Sequence, residues 1–148
     1  MEHKMQQALE KFISYLKSQA LAEKTIDRHE KKILFFFSWL KKRKISNLAR
    51  ITAKEITAYQ SFLYNYKNAE GTSLTLDNRF RHLASLKIFF AFLLRKNMIL
   101  IDPTIFMELP KLPQALPRDI LTQTEAAMVF SKPDLTNPLG LRNRAILE

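Results

Sequence analysis

Two groups of polar residues carry the chemistry that this sequence could do. Thr25, Arg28, His29 and Lys32 follow the i, i+3, i+4, i+7 spacing that lines side chains along one face of a helix. Asn78, Arg81, His82 and Ser85 repeat that spacing further along. Each quartet offers a small polar group, then Arg-His, then another donor. Arginine can fork onto phosphate or guanine, and the remaining groups can donate to phosphates or base edges. A polar face at this spacing also belongs to any solvated helix. Its repetition on two segments is what favours a nucleic-acid partner. The three histidines, His3, His29 and His82, have no carboxylate pair at ligand spacing, so no metal site is expected, and no cofactor. The chain has no cysteine, which excludes disulfides and thiolate chemistry and is compatible with a cytoplasmic setting.

The elements that must position these groups read as helices. Leu9, Phe12, Ile13 and Leu16 mark a first helix over Met5–Gln19. Thr25 can cap a second, running to about Lys42, with Ile26, Ile33, Phe37 and Leu40 on one stripe. Thr52-Ala-Lys-Glu55 is a capping box opening a third helix to about Tyr66, on or near which Tyr59, Tyr64 and Tyr66 are read as packing residues. A fourth helix is predicted from about Leu74 to Asn97. In the second and fourth helices the polar quartet gives way to aromatics, Phe36 and Trp39 in one, Phe89 and Phe92 in the other. Each helix is therefore expected to turn its first half to solvent and its second half to the core.

After Asp102-Pro103 the texture changes. Prolines at 110, 113 and 117 predict an extended, rather stiff linker, since proline fixes φ and lacks an amide donor. Thr122-Gln-Thr-Glu125 is a second capping box, opening a short helix to about Phe130. Pro133–Gly140 reads as a loop, and Leu141–Glu148 as a helical pattern that stops in mid-stride. The expected fold is all-α, with a helical domain over 1–109, a linker over 110–119, and the truncated start of a second domain over 120–148.

Charge divides the chain in the same place. Residues 1–112 hold 20 basic and 10 acidic residues, the whole of the +10 excess, while 113–148 are balanced at 4 and 4. A basic domain joined to a neutral one suggests that the first meets a polyanion. Only two glycines, Gly71 and Gly140, occur, which argues against an all-β fold or a phosphate-cradling loop. The longest apolar run, Ile33–Phe37, is far short of the roughly 20 residues of a membrane span.

Along the whole chain and in order, most recognisably at the fourth helix and linker, the sequence resembles the tyrosine recombinase (phage integrase, Xer-like) family. The stretch Arg81-His-Leu-Ala-Ser-Leu-Lys-Ile-Phe-Phe-Ala-Phe-Leu93 and the turn Asp102-Pro103 are similar to the family's core-binding domain. Residues 111–118 resemble its interdomain linker, and Ile120–Glu125 the first helix start of its catalytic domain. Leu141-Arg-Asn-Arg-Ala-Ile-Leu147 resembles the helix preceding the first catalytic arginine. Thr25-Ile26 with Phe35–Leu40 matches the family's second helix. Three departures stand out: Lys87 replaces the usual arginine, Asn143 stands where aspartate is common, and the segment between Pro117 and Thr122 is one residue longer.

The resemblance implies an orthogonal four- to five-helix bundle of the SAM-like core-binding type. It implies the amino-terminal clamp half of an enzyme for DNA integration and recombination, in which a tyrosine attacks the scissile phosphate. No catalytic residue is assigned here. The first catalytic arginine is expected beyond Glu148, so this chain is expected to bind DNA and cut nothing. The implied partners are double-stranded DNA at a recombination core site and other recombinase subunits in a synaptic complex, with no membrane. The implied location is cytoplasmic, at the nucleoid. In the family the second and fourth helices face the major groove, so both quartets are expected DNA contacts, with Arg79 and Lys87 added from the family motif. Lys87 projects towards the apolar side. A basic helical module docking an acidic protein partner is the alternative, and an anionic membrane surface a third.

Overall fold

The computed structural model describes residues 2–113 and 121–147, with side chains from Lys4 onward. Among these are six α-helices, a 3-10 turn at Leu48–Arg50, and no strand beyond the isolated bridge Lys67–Ser73. The chain divides into two compact units, Met1–Leu112 and Pro113–Glu148. Of the linker expected over 110–119, residues 114–119 lie outside the described residues. No described helix is long and apolar enough to cross a membrane.

The first unit is built from α1 (Glu2–Ser18), α2 (Glu23–Lys42), α3 (Ala53–Asn65) and α4 (Leu76–Arg95). α4 packs against the other three, and α1 also packs against α2. The apolar stripes meet in one core. Phe12, Phe36, Tyr59, Phe89 and Phe90 are fully buried, and their rings meet edge-on at centroid distances from 4.8 Å for Phe36–Tyr59 to 6.1 Å for Phe36–Phe90. Such aromatic pairs add roughly 0.5–1.5 kcal/mol each beyond the area they bury. The expected core positions Phe36, Trp39, Phe89 and Phe92 are all buried.

Helix ends show where local rules held. Thr52 accepts from the Lys54 amide and Glu55 reaches back to the Thr52 amide, the expected capping box. α2 departs from expectation. It begins at Glu23, two residues before Thr25, with Ala22 as a cap that makes no side-chain hydrogen bond. Glu23 in the first turn complements the helix dipole and supports the earlier start, which leaves Thr25 inside the helix. α4 begins after Thr75, whose side chain accepts from the Asn78 amide.

With so few glycines, three helices end on non-glycine residues in the left-handed region: Ala20 after α1, Lys44 after α2 and Asn97 after α4. Around Lys44 the amides of Lys44 and Ile45 return to the Lys41 and Leu40 carbonyls, and Asn97 and Met98 do the same to Leu94 and Leu93. This paired closure satisfies carbonyls that a helix end otherwise leaves open. Beyond α4 the chain runs through Asp102, whose Oδ1 accepts from both the amide and hydroxyl of buried Thr104. Leu100, Ile101, Ile105 and Phe106 project outward here, Leu100 at 95% and Phe106 at 87% exposure.

The second unit holds α5 (Gln123–Ser131) and α6 (Pro138–Leu147). The expected Thr122/Glu125 capping box is present. α6 starts three residues earlier than the pattern Leu141–Glu148 suggested. Pro138 occupies the first helical position, and Asn137 Oδ1 accepts from the Gly140 amide at 2.7 Å, so the expected loop residues supply a cap. A Cβ at Gly140 would lie 1.7 Å from the Asp134 carbonyl oxygen, so this turn closes only on glycine.

Candidate functional site

The two polar quartets meet. α2 and α4 lie side by side, and their amino-terminal halves face each other rather than opposite regions of solvent. The Lys32 ammonium donates to Asn78 Oδ1 and lies 3.0 Å from His82 Nε2. His29 Nδ1 is bonded to Ser85 Oγ at 3.0 Å. His82 Nδ1 lies 3.3 Å from the Tyr59 hydroxyl on α3. His82 and Ser85 are consequently buried, at 6% and 3% exposure, which corrects the expectation that both quartets stand in solvent. Helical spacing places four residues on one face but does not say what that face looks at.

The protonation pattern follows from donor chemistry. A lysine ammonium only donates, so His82 Nε2 must accept, and the neutral ring carries its proton on Nδ1, directed at the Tyr59 oxygen. Burial and then the Lys32 charge hold the His82 imidazole down at about 4, so it is neutral near pH 7. Burial, followed by the Arg28 charge, also lowers His29. Burial lowers Lys32, with Arg81 and Arg28 pushing the same way and Asp77 opposing. Tyr59 is fully buried and its phenol is pushed upward by desolvation, so its hydroxyl stays protonated.

At the rim of this cluster stand the exposed members. Arg28 is exposed, Thr25 is half-buried, and Arg81 is exposed with its Nε donating to Asp77 Oδ2 at 2.6 Å. Arg28 and Arg81 thus lie close enough to Lys32 to act on its charge, Asp77 is paired with Arg81, and neutral groups hold the ammonium. Asp77 was missed by the sequence reading, although its i, i+4 spacing to Arg81 was a readable signal. Tyr59 carried no such signal, because only tertiary packing brings α3 under His82.

Arg79 and Lys87 are not brought into this cluster. The Arg79 guanidinium lies over the Tyr64 ring, 5.1 Å from its centroid, and its Nε is buried without a hydrogen-bond partner. Tyr64 itself is exposed, unlike the packing role expected of it. Lys87 Nζ reaches the Met107 carbonyl oxygen at 3.5 Å, on the side of α4 away from α2. No group of three potential metal ligands occurs among the described residues. A groove of about 640 Å³ lies elsewhere, lined by residues of α1, the end of α2 and the turn after it, among them Met5, Leu34, Phe37, Lys41 and Lys44.

Comparison with known proteins agrees with this architecture. Residues 9–97 match the model of the phage integrase N-terminal SAM-like domain. The chain is 40% identical over 113 residues to tyrosine recombinase XerC 2 of Ralstonia nicotianae, covering 76% of this chain and 33% of that protein. It is 33% identical over 138 residues to tyrosine recombinase XerD of Lacticaseibacillus casei, covering 93% of this chain and 44% of that one. The chain thus spans between a third and a half of the length of these relatives. In fold it is similar to the crystal structure of the N-terminal domain of a phage integrase/site-specific recombinase from Haloarcula marismortui, with a TM-score of 0.61 at 16% identity over 72% of this chain and 95% of that one. A match over this much of the helical unit, in the order of its helices, places the chain in the phage integrase N-terminal SAM-like domain family, the core-binding domain of tyrosine recombinases.

Proposed function

We propose that this chain binds duplex DNA, sequence-specifically, as the amino-terminal clamp domain of a tyrosine recombinase, with the paired amino-terminal halves of α2 and α4 as the contact surface. The observation that carries this reading is the gathering of Arg28, Lys32 and Arg81 over neutral partners, in the unit holding all of the +10 charge. Exposed Arg28 and Arg81 are the strongest candidates for base contacts, each worth roughly 1–3 kcal/mol of discrimination. Thr25, Lys32 and Asn78 suit phosphates or base edges. His29, His82 and Ser85 act from beneath, while Arg79 and Lys87, outside the cluster, would add only general positive charge. In this reading strand cleavage belongs to the catalytic portion of a longer recombinase acting at the nucleoid.

Fluorescence anisotropy of a labelled inverted-repeat duplex, titrated at several salt concentrations, tests the reading. The expected result is affinity that falls steeply with salt yet exceeds that for a scrambled duplex. Replacing both Arg28 and Arg81 with alanine is expected to remove most of that preference; unchanged affinity would exclude the α2/α4 surface. The outward-facing Leu100, Ile101, Ile105 and Phe106 favour a second reading, contact with a protein surface such as another recombinase subunit, since exposed apolar clusters mark association sites. Sedimentation on DNA, compared with DNA-free protein, separates the two.

A further inference from the structure

We propose that His82 is a positioning residue: seated on Tyr59, it holds the Lys32 ammonium at the mouth of the α2/α4 cluster, where Lys32 meets a backbone phosphate of the bound duplex. This rests on the duplex-binding reading above and assigns the buried half of the cluster a task within it.

The chemistry of the holders is the reason. A lysine head on its four-carbon stem loses substantial rotamer freedom when it is fixed at a contact. Here it is fixed in advance by two acceptors, Asn78 Oδ1 and His82 Nε2, which use two of its three N–H groups and leave the third for an incoming anion. Both holders are neutral. A carboxylate in either place would orient the ammonium equally well but would cancel its charge. The nearby carboxylate, Asp77, is instead paired with Arg81. Lys32 therefore arrives oriented by partners that do not cancel its charge, with Arg28 and Arg81 close enough to act on it electrostatically. His82 can do this only as the Nδ1–H tautomer, which the donor-only ammonium at Nε2 requires and which the Tyr59 oxygen 3.3 Å from Nδ1 accommodates as acceptor. The Phe35 ring, 4.9 Å from the His82 ring, closes another side of the imidazole. In function this places the pair close to a buttressed phosphate clamp, with a dry support beneath a wet contact.

The test compares Lys32→Ala, His82→Leu, His82→Gln and the Lys32→Ala/His82→Leu double variant in the full chain. Binding is read on a mixed-sequence duplex, because phosphate contacts do not depend on sequence. The slope of log affinity against log salt counts phosphates, at about 0.9 per contact. Lys32→Ala is expected to reduce the slope by about one contact. His82→Leu should weaken binding roughly three- to tenfold and reduce the slope by part of one contact. The double variant should be no weaker than Lys32→Ala alone. His82→Gln, whose amide can accept from Lys32 and donate to Tyr59, should keep the wild-type slope.

A purely structural His82 would give a different pattern, in which its loss adds in full to that of Lys32→Ala. That result, or a His82→Leu slope equal to wild type, overturns the proposal. If His82→Leu does not fold, Tyr59→Phe serves in its place, because it keeps the ring and removes only the oxygen. Its binding defect is expected in the wild-type background and absent in Lys32→Ala, and any other pattern overturns the proposal. Failure of the wild-type chain to bind duplex at low salt would instead defeat the duplex-binding reading itself, and is visible before any variant is made.

Discussion

The buried imidazole of His82 makes a stability prediction that is independent of DNA. Its folded value of about 4 lies below the ordinary 6.5. Between those two values the unfolded chain takes up a proton that folded His82 refuses, so its contribution is complete above pH 6.5 and is lost as pH falls towards 4. A shift of this size corresponds to about 3 kcal/mol. Urea unfolding between pH 7 and pH 4 is expected to show that decline, and His82→Gln to flatten it relative to wild type; parallel curves would mean that the imidazole is not held neutral. His29, also lowered, adds a smaller slope of the same sign. At this scale the sequence was partly legible. Residue types and spacing singled out Lys32, Asn78, His29, His82 and Ser85, but their mutual hydrogen bonds cross from one helix to another. No periodicity within a single helix can contain that information.

Helices were the most legible element, and their ends the least. Both capping boxes were readable because Thr and Glu three apart satisfy amides within one turn, whatever lies around them. The starts of α2 and α6 were misplaced for opposite reasons. Ala22 begins a helix with no side-chain cap at all, while Asn137-Pro138 is a cap and first-turn pair hidden among loop-forming residues. The left-handed closure after α1 gives a direct test. Ala20 holds φ at 54°, where a Cβ is crowded and glycine is not. Ala20→Gly is expected to stabilise the chain by about 1 kcal/mol, as an upward shift of the urea midpoint at constant slope. Loss of stability would mean that the Ala20 methyl makes a contact worth more than the backbone strain.

For the molecule as a whole, charge and core tell the same story about the first unit. The buried apolar cluster runs from Met5 to Met107, and among the described residues of the second unit Gly140 alone is buried. A chain ending at Leu112 is therefore expected to melt cooperatively, and to keep the full chain's salt slope on a mixed-sequence duplex, by circular dichroism and anisotropy. A non-cooperative melt would show that the core depends on residues 113–148. The contrast in charge was legible from the sequence alone, whereas the inward turn of His82 and Ser85 needed the packing of α2 on α4. That packing also bears on uniqueness. Aromatic stripes of similar rings would tolerate a slide of one helix along its neighbour by a turn, about 5.4 Å, with modest change in apolar contact. Lys32 would not: such a slip takes its ammonium away from Asn78 and His82 and leaves those polar groups unpaired against hydrocarbon. The cluster thus acts as an alignment pin, fixing one register for two helices whose greasy surfaces alone would accept several.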